Sequence, residues 1–465
     1  MTDVGTLIIL GASGDLTKRL LLPGLGSLLA SSRDKDSQLA GDLTIIGTSR
    51  SEHDSDWWKQ VVRDGIAEGG ATAKDADRLA GKAEYIRGDP SKSDDLANVL
   101  KSVVGVPVLY FALPPAVVEK AIDALKDVEL PEGTILALEK PFGSDARSAA
   151  ALNRRIAKLV PERQVHRIDH FLGEPTVLGL LGIRFAGRTF EPVWNSDDIE
   201  RVEITYDEQL GLEGRAAYYD EAGALIDMLQ SHLLQVLSIV AMEAPASIDE
   251  EDFRSATAQV LNATSIWSGE PVLPGTDQPS RRARYTAGKI DGRSLPSYVD
   301  EEGVDPARET ETLAEIAVEV KTRRWAGTPF ILRSGKAIGE PRRQVEIVFR
   351  KPRFVPRGLT GTRAPERFIV GLKPQSFELH LAVNGESDPF RLAPGALETE
   401  MPAQELTEYG EVLRGLLSSD PTLSVRGDIA EQCWRIIAPV IKAWRAGEVP
   451  LDDYRAGSKG PSSWS

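Results

Sequence analysis

The chain has 465 residues, with 55 Lys and Arg against 70 Asp and Glu, so that its formal net charge is −15. At roughly 150 residues per domain this length predicts two or three domains. The acidic balance disfavours a protein that binds nucleic acid by neutralising phosphates, and a hydrophobic content of 41% is typical of a folded globular protein.

Features that would indicate export, a membrane span or a metal centre are missing from the sequence. It has no uncharged apolar run of about 18 residues and no positively charged leader, so we expect a cytoplasmic protein without a membrane segment. The single cysteine, Cys433, excludes an internal disulfide bond. No Cys and His residues have the spacing of metal ligands, so we expect no metal.

The first predicted elements are a buried strand at residues 6–10, a glycine-rich loop and a helix. Backbone N–H groups at the start of such a helix can hold a pyrophosphate. Because the spacing is G-x-x-G and not the full G-x-G-x-x-G, the loop is consistent with a dinucleotide site and with a plain tight turn. The loop is formed by Gly11, Ala12, Ser13, Gly14, Asp15 and Leu16.

The second predicted strand ends in Thr48, Ser49 and Arg50. In a dinucleotide-binding fold an arginine at this place favours NADP, whereas an acidic residue favours NAD. Glu52 follows closely, so NAD stays possible. Further strands are predicted in AEYIRGD, VPVLYFALP and GTILALEKPF, and their alternation with helices predicts a parallel, doubly wound sheet over about residues 1–170.

Two charged segments close this first half. Lys140 precedes Pro141, which favours an extended backbone and directs the lysine towards the carboxyl edge of the sheet, where ligands bind. The segment RIDHFLGE then brings Asp169 and His170 together.

The second half has a different pattern. Apolar and polar residues alternate in IERVEITYDEQ, LAEIAVEVKT, QVEIVFRKP, RFIVGLKP and SFELHLAV, which predicts a sheet with one solvated face. Residues 270–310 are rich in Pro, Gly, Arg and Asp and are predicted to be an extended loop. A long helical pattern carries His232 on its apolar face, where the histidine is either a core residue or a general base.

These motifs occur in one order along the chain: GASGDL, LYFALPP, EKPFG, RIDHFLG, RFAGRTFEPVWN, GLEGRAAYYDEAGALIDMLQSHLLQ, VAMEAP and RRWAGTPFILRSGKA. In them the sequence resembles the glucose-6-phosphate dehydrogenase family over essentially its whole length. The resemblance implies an α/β fold with an N-terminal Rossmann-like NADP-binding domain, 1–172. A large α+β domain with a mainly antiparallel sheet, 173–465, would hold the substrate and form a homodimer or homotetramer.

The same resemblance implies NADP-dependent oxidation of carbon 1 of glucose 6-phosphate, or of a close glucose derivative, to the 1,5-lactone. His232 corresponds to the base, Asp169 to the carboxylate that orients it, and Lys140 to a lysine that bridges substrate and cofactor. The implied substrate contacts are His170, Glu174, Glu208, Asp227, Lys336 and Lys373. The implied cofactor contacts are Gly11, Ser13, Gly14, Asp15, Leu16, Arg50, Leu113, Pro114 and Lys140.

Two departures from the family pattern concern the substrate phosphate. Glu174 stands where the family usually has Lys, and Leu20 replaces a basic residue. A carboxylate in place of an ammonium about 4 Å from a phosphate changes the interaction by a few kcal/mol.

Three hypotheses stay open. The substrate is glucose 6-phosphate, with an anion site re-formed by other residues. Alternatively, the same reaction acts on a non-phosphorylated or amino hexose, or the chain is a catalytically silent paralogue that serves as an assembly partner. The residues that could re-form the anion site are His170, Lys336, Arg342 and Lys373.

Overall fold

The computed structural model describes residues 4–32, 38–214, 216–361, 365–385, 388–401 and 405–464. The chain divides into two compact units. The first unit comprises residues 1–173, 245–258 and 403–432, and the second comprises 174–244, 259–402 and 433–465. These units differ from the predicted consecutive domains, 1–172 and 173–465, in that two later segments of the chain belong to the first unit.

The described part of the first unit contains one parallel sheet of six strands in the order β3-β2-β1-β4-β5-β6. The strand order reverses between β1 and β4, and a doubly wound sheet binds its ligands at the carboxyl edge of such a reversal. The predicted Rossmann-like sheet is therefore confirmed. The strands are β1 (Val4–Leu10), β2 (Thr44–Thr48), β3 (Glu84–Tyr85), β4 (Val106–Phe111), β5 (Ile135–Leu138) and β6 (Val165–Arg167).

Helices pack on this sheet and begin at side chains suited to that position. Asp54, Thr72 and Asp145 each accept a hydrogen bond from a backbone N–H in the first turn of the helix that follows. Among the helices of the first unit are Leu22–Ala30, Ser55–Glu68, Ala73–Gly81, Ser93–Leu100, Pro115–Ala124, Ala146–Ile156 and Glu408–Leu417, and a π-helical turn, Thr17–Leu21, precedes the first of these.

In its described residues, the second unit is built on an eleven-stranded mixed sheet in the order β15-β18-β17-β16-β14-β7-β13-β12-β9-β19, with β8 paired to β12. Most neighbouring strands are antiparallel, while β7 with β13, β9 with β19 and β15 with β18 are parallel. The predicted α+β domain with a mainly antiparallel sheet is confirmed. The strands are β7 (Ile199–Asp207), β8 (Thr264–Ile266), β9 (Ser280–Thr286), β10 (Gly288–Ile290), β11 (Arg293–Leu295), β12 (Leu313–Val320), β13 (Pro329–Gly335), β14 (Arg343–Phe349), β15 (Thr360–Gly361), β16 (Arg367–Gly371), β17 (Ser376–Asn384), β18 (Arg391–Glu400) and β19 (Leu451–Arg455).

The prediction of an extended loop over residues 270–310 is wrong. Strand β9 lies in this segment and pairs with β12, and β10 and β11 form a separate hairpin. The charges that suggested a loop are paired within the unit, because Arg281 lies 2.6 Å from the carboxylate of Glu315 and Arg282 lies 3.5 Å from that of Glu309. Paired arginines can be buried in a strand.

One stretch of the second unit, Tyr218–Ala241, is 24 residues long and apolar enough to cross a membrane. Since 89% of its most apolar window is buried within the protein, the apolar character reflects a core position. The helices that contribute to the second unit are Pro175–Leu181, Ala216–Ala224, Leu234–Ala241, Asp252–Ala263 and Gly427–Arg445, together with π-helical segments Gly182–Ala186 and Leu225–Leu233. Asp252–Ala263 and Gly427–Arg445 each have residues in both units.

Candidate active site

The glycine loop lies between β1 and the first helix, at the carboxyl edge of the first unit's sheet. Gly11 has a φ of +98°, and a Cβ added there would lie 2.1 Å from the carbonyl oxygen of Ala112. Its N–H donates to the carbonyl of Thr48 at 2.8 Å, and the N–H of Gly14 donates to the carbonyl of Gly11 at 2.9 Å. Helical residues begin at Asp15 and Leu16, so the loop presents a helix N-terminus at the position predicted for a pyrophosphate.

Arg50 follows β2 at the same edge, two residues beyond buried Thr48, and its side chain is exposed. Glu52, which left NAD possible, lies 3.5 Å from the guanidinium of Arg87. Ser13 and Ser51 place their hydroxyl oxygens 3.4 Å apart, which joins the loop to the end of β2. A cation and two hydroxyls at this place suit a ribose phosphate.

Leu113 and Pro114 follow β4, the neighbour of β1. The Cδ2 atom of Leu113 lies 3.1 Å from the position of a Cβ on Gly11, so its side chain borders the loop. The carbonyl of Pro114 accepts the N–H of Val117 at 2.8 Å at the start of a helix. The structure therefore brings Leu113 to the glycine loop and leaves Pro114 exposed beside it.

Lys140 is half-buried after β5 and is joined to Pro141 by a cis peptide bond. Its neighbour Glu139 accepts hydrogen bonds from the hydroxyls of Tyr110 and Tyr409. Burial raises the pKa of Glu139, and the positive charge of Lys140 opposes that rise. A lysine beside a buried carboxylate thus lies at the predicted edge.

Asp169 and His170 follow β6, the last strand of this sheet. Asp169 is 3% exposed, and its Oδ1 accepts the N–H of Phe171 at 3.1 Å. The ring of His170 stacks on that of Tyr409 with centroids 6.2 Å apart. Burial raises the pKa of both Glu139 and Tyr409, and the negative charge of Asp169 adds to both shifts, so the three groups interact within the first unit.

In the second unit Glu208 and Lys336 lie directly beyond the ends of the parallel strands β7 and β13. The register pairs Asp207 with Gly335, and the N–H of Glu208 donates to the carbonyl of Gly335 at 2.7 Å. The Lys336 ammonium lies 2.6 Å from Oε2 of Glu208, with the lysine side chain 5% exposed. The two predicted substrate residues therefore form a pair at one sheet edge.

Further cations lie at this edge because β14 starts beside the end of β7, and β16 ends beside the start of β14. The guanidinium of Arg343, at the start of β14, lies 5.4 Å from the ring centre of Tyr206. The N–H of Leu372, just before Lys373, donates to the carbonyl of Arg343 at 2.7 Å. We call Lys336, Arg343 and Lys373 the cationic edge.

Glu174 is also close to Tyr206. Burial raises the pKa of the Tyr206 hydroxyl, Lys373 and Arg343 lower it, and Glu208 and Glu174 raise it. Glu174 is only 2% exposed and stands immediately before the helix Pro175–Leu181. Its charge therefore acts on the same tyrosine as the cationic edge.

Asp227 and His232 lie on the π-helical segment Leu225–Leu233, and such segments are frequent at functional sites. His232 is 2% exposed, which fits a core histidine as well as a base. The hydroxyl of Tyr218 donates to Oδ1 of Asp227 at 3.4 Å. Burial raises the pKa of Tyr219, and the carboxylates of Asp227, Glu311 and Glu208 raise it further, so these three acids act on one tyrosine.

The aromatic residues of these regions were not among the predicted site residues. The ring of Tyr219 lies 5.1 Å from the ammonium of Lys336, and Tyr206 lies beneath Arg343. Their positions in the sequence could have identified both tyrosines. Tyr206 lies on β7, two residues before Glu208, and Tyr219 lies in the motif AAYYDEAG. Tyr409 could not be identified in this way, because it comes from a distant helix.

Comparisons with known proteins agree over both units. The family models for the NAD-binding domain and the C-terminal domain of glucose-6-phosphate dehydrogenase match residues 8–178 and 181–465. A glucose-6-phosphate 1-dehydrogenase of Gluconobacter oxydans is 36% identical and covers 98% of this chain and 94% of its own.

Solved structures give the same result. Glucose-6-phosphate 1-dehydrogenase from Mycobacterium avium matches with a TM-score of 0.84 and 29% identity, covering 100% of this chain and 96% of its own. A glucose-6-phosphate dehydrogenase in complex with glucose 6-phosphate has the same TM-score at 26% identity, covering 99% and 97%.

Proposed function

Since the chain belongs to the glucose-6-phosphate dehydrogenase family, we propose that it oxidises carbon 1 of glucose 6-phosphate to the 1,5-lactone. The observation that carries the proposal is the match of both family models, which together span residues 8–178 and 181–465. The glycine loop and Arg50 would hold NADP, which would supply the acceptor for the hydride of carbon 1. A relative of the same fold has been solved with glucose 6-phosphate, which supports a sugar phosphate as the substrate.

The first unit fits the nucleotide. A side chain at Gly11 would collide with the backbone of Ala112, so glycine allows the loop to pack tightly on the end of β4 before the helix begins. The N-terminal end of the following helix favours an anion. We assign the ribose phosphate to exposed Arg50, which supports NADP over NAD. Leu113 and Pro114 would border the nucleotide, and Lys140 would face it from β5.

His232 is the residue we propose as the base. Removal of a hydride from carbon 1 requires the anomeric hydroxyl to lose its proton, and a neutral imidazole accepts a proton near pH 7. Glu208 and Asp227, which act on the same buried tyrosine, are proposed to accept hydrogen bonds from sugar hydroxyls. The roles predicted for Asp169 and His170, as the partner of the base and as a phosphate ligand, stay predictions.

The cationic edge is the proposed site of the substrate phosphate. Lys336, Arg343 and Lys373 bring three positive charges to one end of the second unit's sheet, against the carboxylates of Glu208 and Glu174. These charges support the first of the three sequence hypotheses, with Arg343 in place of the predicted Arg342, whose backbone carbonyl accepts the N–H of Asp207 at 2.8 Å. The non-phosphorylated hexose and the silent paralogue receive no support from the relatives, which carry the glucose-6-phosphate dehydrogenase name over nearly the whole chain.

We further propose that the protein works in the cytoplasm as a homodimer or homotetramer. The outer strands β17 and β18 of the second unit carry exposed apolar side chains, among them Val383 at 41% and Leu397 at 65% exposure. Such a surface supports self-association. Sedimentation equilibrium should give two or four times the chain mass, and a monomer at micromolar concentration would contradict this part.

The experiment for the reaction follows NADP reduction with glucose 6-phosphate in the wild type and in His232→Asn. Asparagine cannot accept the proton, so kcat should fall by at least a thousandfold while NADP binding is retained. A matched control is His380→Asn, a histidine on β17 that lies 3.0 Å from Glu378. The control should keep at least half of the wild-type kcat, and normal turnover in His232→Asn would contradict the assignment.

A further inference from the structure

The helix that carries Asp227 and His232 is interrupted just before these residues. Gly223 has a φ of 63° and a ψ of 179°, so the helical path of Ala216–Ala224 breaks there and a new segment begins. At any helix start the first N–H groups have no partner within the helix. The N–H groups of Ala224 and Leu225 must therefore find acceptors elsewhere.

Both acceptors come from one residue, Glu311. Its backbone carbonyl accepts the N–H of Ala224 at 3.3 Å, and its side-chain Oε1 accepts the N–H of Leu225 at 2.9 Å. Glu311 is 7% exposed and stands just before β12 in the second unit. Glu311 thus fixes the start of the segment through two hydrogen bonds.

The break in the helix allows this contact. A Cβ at position 223 would lie 2.3 Å from Oε1 of Glu311, so only glycine lets the carboxylate lie against the backbone here. The positive φ of Gly223 is likewise strained for other residues. A carboxylate at a helix N-terminus is also favoured by the helix dipole. Gly223 and Glu311 together determine where the new helical segment begins.

We propose that Glu311 is a positioning residue, which holds the segment Leu225–Leu233 so that Asp227 and His232 meet the sugar. Asp227 lies in the first turn of that segment and His232 near its end, so a shift at its start displaces both. The inference rests on the proposed function, because the two residues matter only if a sugar is oxidised beside them. Misplacement by about 1 Å can lower a rate by about a hundredfold.

The test compares Glu311→Gln, Glu311→Asp and Glu311→Leu in the full-length protein. Gln keeps an oxygen acceptor on a side chain of the same length. Asp is one methylene shorter, so its oxygen lies farther from the N–H of Leu225, and Leu has no acceptor. We expect kcat/KM for glucose 6-phosphate to stay within threefold of wild type for Gln, to fall at least fivefold for Asp and at least tenfold for Leu. Glu309→Gln, on an exposed side chain of the same loop, should match the wild type.

A positioning role is distinguished from loss of fold by NADP binding. The dissociation constant of NADP should stay within twofold in every variant, because its loop lies in the first unit. Equal losses of NADP affinity and of kcat/KM would overturn the proposal, as would Asp at the wild-type level or Gln as impaired as Asp. If Glu311→Leu does not fold, the comparison of kcat/KM between Glu311→Asp and Glu311→Gln tests the proposal.

Failure of the proposed function is recognised separately. A wild type that does not reduce NADP with glucose 6-phosphate refutes the reaction, and hydrogen exchange then tests the contact without any assay of activity. The amides of Ala224 and Leu225 should exchange at least tenfold faster in Glu311→Asp than in the wild type, and at the wild-type rate in Glu311→Gln. Unchanged exchange in Glu311→Asp would overturn the inference.

Discussion

Lys336 and Glu208 form an ion pair in which Nζ lies 2.6 Å from Oε2. The pair exists because β7 and β13 run parallel and end side by side, so that the next residue of each strand meets the other. The lysine side chain is 5% exposed and also lies over the ring of Tyr219. The carboxylate therefore holds the lysine at the sheet edge, where the proposed phosphate site lies.

Replacement of Lys336 by methionine should lower kcat/KM for glucose 6-phosphate by at least a hundredfold. Methionine has a similar length but no charge, so the phosphate loses a charge-assisted hydrogen bond, and Glu208 loses its counterion. Steady-state kinetics checks the result. Lys321→Met is the matched control, since Lys321 is 59% exposed beside Glu319. An equal loss in both variants would contradict the role of Lys336.

Arg50→Ala should raise the KM for NADP at least tenfold and change the KM for NAD less than twofold. Only NADP carries the ribose phosphate that the guanidinium would bind, and such hydrogen bonds contribute about 1.5 to 3 kcal/mol. Arg63→Ala serves as control, because Arg63 pairs with Asp77 at 2.6 Å on a neighbouring helix. Equal weakening of both cofactors would remove Arg50 from the phosphate role.

Glu174→Lys should improve the use of glucose 6-phosphate by about tenfold in kcat/KM and leave glucose unchanged. The charge of Glu174 already acts on Tyr206, so its reversal should add to the cationic edge. Glu200→Lys, on the exposed side of β7, is the control for net charge. No change in Glu174→Lys would place residue 174 outside the substrate site.

The pH dependence of stability should report on Glu311. Burial raises its pKa from 4.5 to about 7, opposed by its hydrogen bond from Leu225 and by the charge of Arg282. The other titratable groups that its charge affects are Tyr219 and Tyr298, whose pKa values it raises. Because the pKa of Glu311 is higher in the folded than in the unfolded protein, its protonated carboxyl stabilises the fold. This stabilisation is fully present below about pH 4.5 and is lost as the pH rises through about 7.

The wild type should therefore lose roughly 2 to 3 kcal/mol relative to Glu311→Gln between pH 5 and pH 8, at about 1.4 kcal/mol per pKa unit. Calorimetry should show the Tm of Glu311→Gln rising relative to that of the wild type over this range. A constant difference in Tm would show that Glu311 does not titrate there.

Local patterns were sufficient to predict much of the first unit. Buried strands, the glycine loop and Arg50 lie close together in sequence, and the strand order then brings their ends to one edge. Glu208 and Lys336 could be assigned to the site only by resemblance, and their ion pair was not predicted, because the residues follow strands that are distant in sequence. The membership of 245–258 and 403–432 in the first unit depends on tertiary packing that no local pattern contains.

The charged residues of segment 270–310 led to the wrong prediction of a loop in the second unit. Strand β9 contains Arg281 and Arg282, whose counterions and acceptors are distant in sequence, so its composition suggested a loop. The break in the helix at Gly223 was also not predicted, because its cause is a residue distant in sequence. A glycine within an apolar helical pattern is compatible with an unbroken helix, and only the position of Glu311 shows why the chain turns there.

The proposed substrate of this protein is a phosphorylated glucose. The most direct measurement compares kcat/KM for glucose 6-phosphate, glucose and 6-amino-6-deoxyglucose with NADP. Three cations at one sheet edge predict that glucose 6-phosphate exceeds each of the other sugars by at least a hundredfold. Equal or higher efficiency with glucose or the amino sugar would contradict the claim.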